Sequence, residues 1–408
     1  MTFFFDYPHY YVNYVDVKGE MMAFSQRVAQ LKSSLIRDIL AAAQQPDVIS
    51  FAGGLPDPAL LFWHESESPL PKQLAQYGPS EGEPALREYV ANYARQQLGI
   101  DCQAQQVLIL SGSQQGIDLV SKLFIDPQTP IITESPTYLA ALQCFEFFGA
   151  DITGIPLSPT GIDLPCLQQA LQQQPAFTYL IPTFQNPAAS CYDAEHRQQV
   201  VQALQAARVP LIEDDPYRDL VYDEVERRPL CAQMTADDSW VYLGTFSKTL
   251  APGLRIGFLI ASPDLFPHLL RLKQAADLHS SRLGQYLVLQ AVSSDSYQSH
   301  LHTLQQHYRQ KRDVMQRALQ AELSDIADWQ CPAGGLFFWL TLKERLDTRL
   351  LLPDWLKQGL AVMPGEAFYP ENQVELGHLR LNFSHASEQA IEIGVARLAA
   401  GLRKALDD

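Results

Sequence analysis

The feature that most constrains the fold is the alternation of short apolar runs with helical patterns between about residues 50 and 290. Apolar runs such as 107–110 and 256–260 are separated by segments with apolar side chains at helical spacing, such as 114–124 and 195–207. Strands that are apolar throughout are buried on both faces, and strands that alternate with helices pair in parallel. The pattern therefore predicts an α/β fold with a mostly parallel central sheet covered by helices.

The pattern changes after a long predicted helix at 285–323. Three predicted strands (334–342, 361–364 and 378–383) and a closing amphipathic helix (388–406) follow it, which indicates a smaller α+β unit. A chain of 408 residues is long for one core and suits two domains. The expected division is an N-terminal arm and helix packing with the small domain (1–55), a large cofactor-binding domain (56–290) and a small C-terminal domain (291–408).

The charge and cysteine content limit the partners and the compartment. The net charge is −16, and clustered Lys and Arg drive phosphate binding, so no nucleic-acid partner is expected. The six cysteines are scattered without a CxxC pair, which favours a reducing compartment. The aromatic leader Met1 to Val17 carries Asp6 and Asp16 and lacks the basic start of a signal peptide. No stretch has the roughly 18 apolar residues of a membrane span, so a cytoplasmic protein without a membrane partner is expected.

The run from Gly244 to Gly257 holds one lysine, Lys248, in a hydroxyl-rich turn between two apolar stretches. A lysine in a water-poor pocket loses hydration of its ammonium, so its pKa falls and its amine becomes a nucleophile. Arg255 and the hydroxyls of Thr245 and Ser247 are donors suited to a phosphate dianion. An amine beside a phosphate site is what a pyridoxal-phosphate enzyme needs; the alternative is an ordinary solvated loop lysine.

Other candidate residues follow the predicted strands, at the edge where open parallel sheets bind ligands. The turn 111–116 precedes a helix and offers free backbone amides to a phosphate, although small residues at a helix start are common. The acidic run 213–217 follows the strand predicted to end at Ile212, and a buried carboxylate there would keep a pyridine nitrogen protonated. Asn186 offers an amide, or forms an ordinary Asn-Pro turn, and Tyr138, on a predicted helix, stacks on a ring or belongs to the core.

With these motifs in chain order, the sequence resembles the fold-type I pyridoxal-phosphate aminotransferases from about Phe24 to the C-terminus. Within them it is similar to the 2-aminoadipate and kynurenine aminotransferases, and it also looks like the C-terminal domain of MocR-type transcription regulators. The most specific part is the run from Thr-Phe-Ser-Lys to Leu-Arg-Ile-Gly at 245–257. The resemblance implies the fold-type I architecture, pyridoxal 5'-phosphate as cofactor and a homodimer with shared active sites.

The resemblance also assigns roles to individual residues. Lys248 would form the Schiff base with the cofactor and later move the proton between the substrate Cα and the cofactor. Asp214 would pair with the pyridine nitrogen, Tyr217 and Asn186 would bind the ring oxygen, and Tyr138 would stack on the ring. The residues that would hold the phosphate are Ser113, Gln114, Thr245, Ser247 and Arg255, with Tyr77 reaching the phosphate of a neighbouring subunit. The residues that would bind substrate are Arg380, which grips the α-carboxylate, the covering loop at Gly53 and Gly54, and Asn186.

Two parts of the chain depart from the family pattern. The family usually continues Asn-Pro with Thr or Ser and then Gly, whereas this chain has Ala188 and Ala189. If that glycine takes a positive φ, Ala189 bears a modest strain or redirects the turn beside Asn186. The aromatic leader before about Lys18 has no family match, and a disordered tail and a dimer-wrapping arm are both open interpretations.

The leading functional hypothesis is an aminotransferase that moves an amino group from an L-amino acid to a 2-oxo acid by a ping-pong mechanism. A lyase, decarboxylase or oxidase on the same fold is the alternative, and Arg380 favours transamination. A MocR-like regulator needs a basic DNA-binding domain, whereas the roughly fifty residues before Gly53 are not basic. No specific ligand pattern among the ten histidines indicates a metal, and no G-x-G-x-x-G indicates a nicotinamide enzyme.

Overall fold

The computed structural model of the chain describes residue 45, residues 47–62 and residues 71–407. The helix predicted at 24–43 and the aromatic leader lie outside the described residues. The α-helices of the described part are α1 (Pro84–Tyr93), α2 (Ser113–Phe124), α3 (Leu139–Phe148), α4 (Leu164–Leu171), α5 (Ala194–Ala207), α6 (Phe266–Asp277), α7 (Arg282–Val292), α8 (Tyr297–Leu323), α9 (Thr348–Lys357) and α10 (Glu388–Asp407).

The strands of the described part form three sheets. They are β1 (Ile49–Ser50), β2 (Val107–Leu110), β3 (Pro130–Ser135), β4 (Asp151–Ser158), β5 (Gly161–Ile162), β6 (Thr178–Leu180), β7 (Leu211–Asp214), β8 (Trp240–Thr245), β9 (Gly257–Ala261), β10 (Ala327–Trp329), β11 (Phe337–Leu342), β12 (Leu360–Ala361), β13 (Met363–Pro364) and β14 (His378–Asn382). The eight-stranded sheet has the order β2-β9-β8-β7-β6-β3-β4-β5, the four-stranded sheet has the order β10-β11-β14-β13, and β1 pairs with β12.

The large sheet is mostly parallel, as the sequence predicts. Strands β8, β7, β6, β3 and β4 pair in parallel, and β9 runs antiparallel between β2 and β8. Side chains of one strand alternate between two cores, because Val107 and Ile109 join one hydrophobic cluster and Leu108 and Leu110 join the other. Both faces of the sheet are therefore buried, which confirms the predicted α/β class.

A third core lies around the antiparallel sheet. It joins α8 and α10 to β11 and β14, and it includes Phe51 and Ala52, which directly follow β1. Strand β1 pairs in parallel with β12, with Ile49 opposite Leu360. Strand β1 and the segment after it therefore pack with the helices and strands of the C-terminal part of the chain. The domain bounds at 55 and 290 stay a prediction.

Several bounds differ from the sequence prediction. The strand predicted to end at Ile212 continues to Asp214, because its pairing with β8 extends to Leu243. The helix predicted at 285–323 is two helices, α7 and α8, separated by the polar residues 293–296. Tyr138 lies at the N-cap of α3, with extended backbone angles, and is not within the helix.

Candidate active site

The candidate residues lie at one edge of the large sheet. Because parallel strands end at the same edge, the turns after β2, β3, β6, β7 and β8 come together there. Strand β9 is antiparallel to β8, so Arg255, which precedes Gly257 at the start of β9, reaches the same edge. From the small sheet, Arg380 on β14 completes the group through its contact with Asn186.

Lys248 lies in the turn between β8 and β9, with its side chain half-buried. Its Nζ donates a hydrogen bond to the carbonyl oxygen of Gly54 at 2.9 Å. Burial lowers the pKa of Lys248 to about 8, and the positive charges of Arg380 and Arg255 act in the same direction. The neutral, nucleophilic amine is therefore accessible near neutral pH.

Asp214 ends β7 and is buried. Its Oδ2 accepts a hydrogen bond from the hydroxyl of Tyr179 at 2.7 Å, whereas its Oδ1 is buried without a hydrogen-bond partner among the described residues. Burial raises the pKa of Asp214 to about 7, against the lowering effect of the Tyr179 hydrogen bond. A buried acceptor without a donor fits a protonated pyridine nitrogen, which would supply both the donor and the opposite charge.

The turn between β2 and α2 forms an anion cradle beside Arg255. Gly112 has φ +84°, and a side chain there would meet the Arg255 guanidinium, with Cζ at 2.9 Å from an ideal Cβ. A Cβ on Gly257 would likewise lie 2.7 Å from the backbone nitrogen of Ser113. Both glycines keep the space at the N-terminus of α2 open, where free amides and the helix dipole favour a phosphate.

The hydroxyls of the cradle come from the start of the lysine turn. The Thr245 hydroxyl donates to Ser247 Oγ at 3.0 Å and accepts from the Ser247 backbone nitrogen at 3.1 Å. The Gln114 amide donates to the carbonyl of Ala140 at 3.2 Å, which ties α2 to α3, and its Oε1 is buried without a partner among the described residues. The donor set suits a phosphate group.

Arg380 is buried between two aromatic rings. Its guanidinium carbon lies 4.2 Å from the centroid of Phe337 and 4.8 Å from that of Phe368. Nη1 donates to Asn186 Oδ1 at 2.7 Å and Nη2 to the carbonyl of Ala52 at 2.6 Å, while Nε has no partner among the described residues. Burial lowers the pKa of Arg380 to about 10. The two rings restrict the guanidinium to one plane, and its Nε remains available to donate to a carboxylate.

The two candidate tyrosines lie beside these charges. Burial and the charge of Asp214 together raise the pKa of Tyr138 to about 12, and Arg380 and Arg255 oppose the rise. Tyr217 is buried, and its ring lies 5.6 Å from that of Phe337 and 5.9 Å from Lys248 Nζ. Burial raises the pKa of Tyr217, and its hydrogen bond with Asn186 acts against that rise. The ring and amide groups predicted to surround a planar cofactor are thus brought together.

The covering loop and Tyr77 have different surroundings. A Cβ on Gly54 would lie 2.9 Å from Phe337 Cζ, so the backbone of the loop, which includes Gly53, passes close to the Phe337 ring that packs on Arg380. Tyr77 is 76% exposed. The contacts of Tyr77 are a hydrogen bond to Gln76, one from Arg282 to its carbonyl and an edge-on ring contact with His279 at 5.8 Å. Within the described chain, Tyr77 is the candidate that the structure does not join to the others.

Sequence reasoning missed several residues that support the site. Tyr179 lies within the buried strand β6, and its hydroxyl donates to Asp214. A polar hydroxyl in a buried strand was the available signal. Phe368 and Gln185 had no such signal, because their contacts with Arg380 and Glu134 depend on how separate elements of the fold pack together. Among the described residues there is no cluster of three metal-ligating side chains. In the same part of the chain, none of the helices is long and apolar enough to cross a membrane.

The chain is similar to known proteins over most of its length. Residues 60–398 match the family model described as aminotransferase class I and II. An aromatic-amino-acid aminotransferase 1 from Thermococcus litoralis is 35% identical over 93% of this chain and 94% of its own. A 2-aminoadipate transaminase from Thermus thermophilus is 34% identical over 93% of this chain and 96% of its own.

A solved structure gives the same fold. The crystal structure of an alpha-aminoadipate aminotransferase from Thermus thermophilus, complexed with N-(5'-phosphopyridoxyl)-L-leucine, has a TM-score of 0.84 and 32% identity. The alignment covers 94% of this chain and 98% of that one. The similarity thus extends over nearly the whole length of both proteins.

Proposed function

The chain belongs to the class I and II aminotransferase family, and we propose that the residues gathered around Lys248 are its active site. As a pyridoxal-phosphate-dependent aminotransferase, the protein moves an amino group from an L-amino acid to a 2-oxo acid. The observation that supports this site most strongly is the half-buried Lys248, with its pKa lowered to about 8. It shares one sheet edge with the unpartnered Oδ1 of Asp214.

The residues present fit the cofactor. When bound, pyridoxal phosphate supplies an electron-withdrawing ring that stabilises negative charge at the substrate Cα. Asp214 would hold the proton on the ring nitrogen, Asn186 and Tyr217 would donate hydrogen bonds to the ring oxygen, and the ring of Tyr138 would lie against the cofactor. The groups that would hold the phosphate are those of Ser113, Gln114, Thr245, Ser247 and Arg255.

Substrate binding and proton transfer use the remaining groups. Arg380 would take the α-carboxylate in a charge-assisted fork, and the aromatic rings that flank it exclude water. Lys248, once neutral, would accept the proton from the substrate Cα at its Nζ and pass it to the cofactor. The loop at Gly53 and Gly54 would cover the bound substrate, since the Gly54 carbonyl already contacts Lys248.

The proposal includes a homodimer with shared active sites. The support is the exposed Tyr77 ring, which would lie against the phosphate of a second copy. We expect Tyr77→Phe to weaken cofactor retention in a dimer, as measured by spectrophotometric titration and sedimentation. A monomer with full activity would refute the shared site.

The unpaired state of all six cysteines supports a cytoplasmic location.

The absorption spectrum of the purified protein, recorded before and after single amino acids are added, tests the function. We expect a visible band that is absent in Lys248→Ala and that bleaches with certain donors. Aromatic amino acids and 2-aminoadipate are the first donors to try, because relatives are named for them. A band that persists or shifts without amino transfer would indicate a lyase, decarboxylase or oxidase. No band after incubation with pyridoxal phosphate would refute the cofactor site.

A further inference from the structure

A buried carboxylate that the proposed mechanism does not use lies two strands away from Asp214, with β6 between them. Glu134, near the end of β3, has no exposed surface. Its Oε1 accepts hydrogen bonds from the Tyr192 hydroxyl at 2.7 Å and the Ile181 backbone nitrogen at 3.2 Å, and its Oε2 accepts one from Gln185 Nε2 at 2.9 Å. Burial raises the pKa of Glu134 to about 7, and these donors oppose the rise. Burying a carboxyl is costly, so its retention calls for a reason.

The Gln185 carboxamide is held in a single orientation. Its Nε2 donates to Glu134 and to the carbonyl of Pro136 at 2.8 Å, and its Oε1 accepts from the backbone nitrogen of Ala188 at 2.7 Å. Turning the amide over would face its oxygen towards two acceptors and its nitrogen towards a donor. Glu134 therefore fixes the orientation of the side chain that joins the turn before Tyr138 to the turn that carries Asn186.

The turn itself is closed around Gln185. The backbone nitrogen of Gln185 donates to the backbone carbonyl of Ser190 at 2.9 Å, and the backbone nitrogen of Ala189 donates to the backbone carbonyl of Gln185 at 2.7 Å. The next residue, Asn186, accepts from Arg380 Nη1 at 2.7 Å, which directs the Asn186 amide nitrogen away from Arg380. Glu134 is thus linked to Gln185 by a hydrogen bond, Gln185 to Asn186 by the peptide bond, and Asn186 to Arg380 by a second hydrogen bond.

We propose that Glu134 is a positioning residue that acts through Gln185 to set the orientation of Asn186, and so of the donor for the cofactor ring oxygen. The inference rests on the proposed function, because it needs Asn186 to face pyridoxal phosphate. A carboxylate suits the position because donors face both of its oxygens. An amide at 134 has one acceptor atom and one donor nitrogen. Because two donors face Oε1 and one faces Oε2, the amide oxygen keeps the Oε1 position and the nitrogen meets Gln185 Nε2. Gln185 then has to turn, and the turn that carries Asn186 changes with it.

The test compares Glu134→Gln with Tyr192→Phe. Each variant changes one polar group of the same buried cluster, but Tyr192→Phe leaves the contact between Glu134 and Gln185 in place. The readout is the pH midpoint of the visible band of the protein loaded with pyridoxal phosphate. A hydrogen bond from Asn186 would stabilise the charged ring oxygen, so its loss should raise the midpoint by about one pH unit. The dissociation constant for pyridoxal phosphate is measured alongside.

The expected result is a raised midpoint in Glu134→Gln and an unchanged midpoint in Tyr192→Phe. The exchanged pair E134Q/Q185E restores a donor facing an acceptor between the two positions and should return the midpoint part of the way. Equal midpoints in all variants, or equal shifts in both single variants, would overturn the inference and leave Glu134 a core residue. If Glu134→Gln does not fold, Gln185→Met tests the same link, and an unchanged midpoint overturns the inference. If the wild-type protein shows no visible band, the proposed function fails first.

Discussion

Gly112→Ala is expected to damage the proposed phosphate site through a single methyl group. Gly112 has φ +84°, and an ideal Cβ there would lie 2.9 Å from Arg255 Cζ and closer still to Nη2. Carbon atoms settle about 3.5 Å apart or more, so the guanidinium must retreat by roughly 0.5–1 Å. Its ψ of 157° places Gly112 in a backbone region essentially restricted to glycine, which costs a residue with a Cβ about 1–3 kcal/mol more.

Two measurements follow from these magnitudes. A charge-assisted hydrogen bond is worth about 1.5–3 kcal/mol, so losing one from Arg255 should weaken pyridoxal-phosphate binding about 10- to 100-fold. Spectrophotometric titration of the apo-protein measures this affinity. Urea unfolding of the apo-protein should show a loss of about 1–3 kcal/mol in the free energy of unfolding, from the backbone alone.

Gly253→Ala is the matched control, because Gly253 lies in the same Arg255 turn and its Cβ would meet nothing within 4 Å. We expect its cofactor affinity to stay at the wild-type value. Its free energy of unfolding should stay the same or rise by up to about 1 kcal/mol, because alanine restricts the unfolded chain. Wild-type affinity in Gly112→Ala would refute the assignment of Arg255 to the phosphate. A loss of equal size in both variants would show that the turn responds to any added methyl group.

Three further predictions use the backbone and the pKa values. Ala189 has φ +57°, the positive φ considered in the sequence analysis, and this backbone is strained for a residue with a Cβ. Ala189→Gly should therefore raise the free energy of unfolding by about 1 kcal/mol, whereas Ala188→Gly should lower it. Equal effects of the two substitutions would argue against backbone strain at Ala189. Because burial lowers the pKa of Lys248 to about 8, the rate at which the visible band forms after pyridoxal phosphate is added should rise with pH around 8. A pH-independent rate would contradict this. Burial raises the pKa of Glu213 to about 7, so the folded state binds an extra proton between about pH 4.5 and 7 and loses stability as the pH rises through that window. In Glu213→Gln, urea unfolding at several pH values should show this slope reduced by about one proton, and an unchanged slope would exclude Glu213 as its source.

The βα alternation and the Lys248 turn were readable in the sequence because both are local patterns. A strand buried on both faces is apolar at every position, and the turn after it carries the polar residues that meet a ligand. These local rules identified Lys248, Arg255 and the acidic run 213–217 as candidates and predicted the α/β class, which the sheet of the structure confirms. The family resemblance singled out Asp214 within that run. Strand β4 was missed because it contains Gly154 and Pro156, which are poor strand formers, and only its pairing with β3 makes it a strand.

The contacts within the candidate site were decided by the tertiary structure. Arg380 meets Asn186, and Lys248 meets Gly54, across 194 positions of the chain in each case. Tyr179 joins Asp214 only because β6 pairs with β7, and Glu134 meets Gln185 only because β3 pairs with β6. The sequence by itself indicated which polar turns follow the strands that it predicted, since hydrophobic periodicity is local. The order of the strands in the sheet decided which of those side chains meet, because that order depends on the burial of the whole chain.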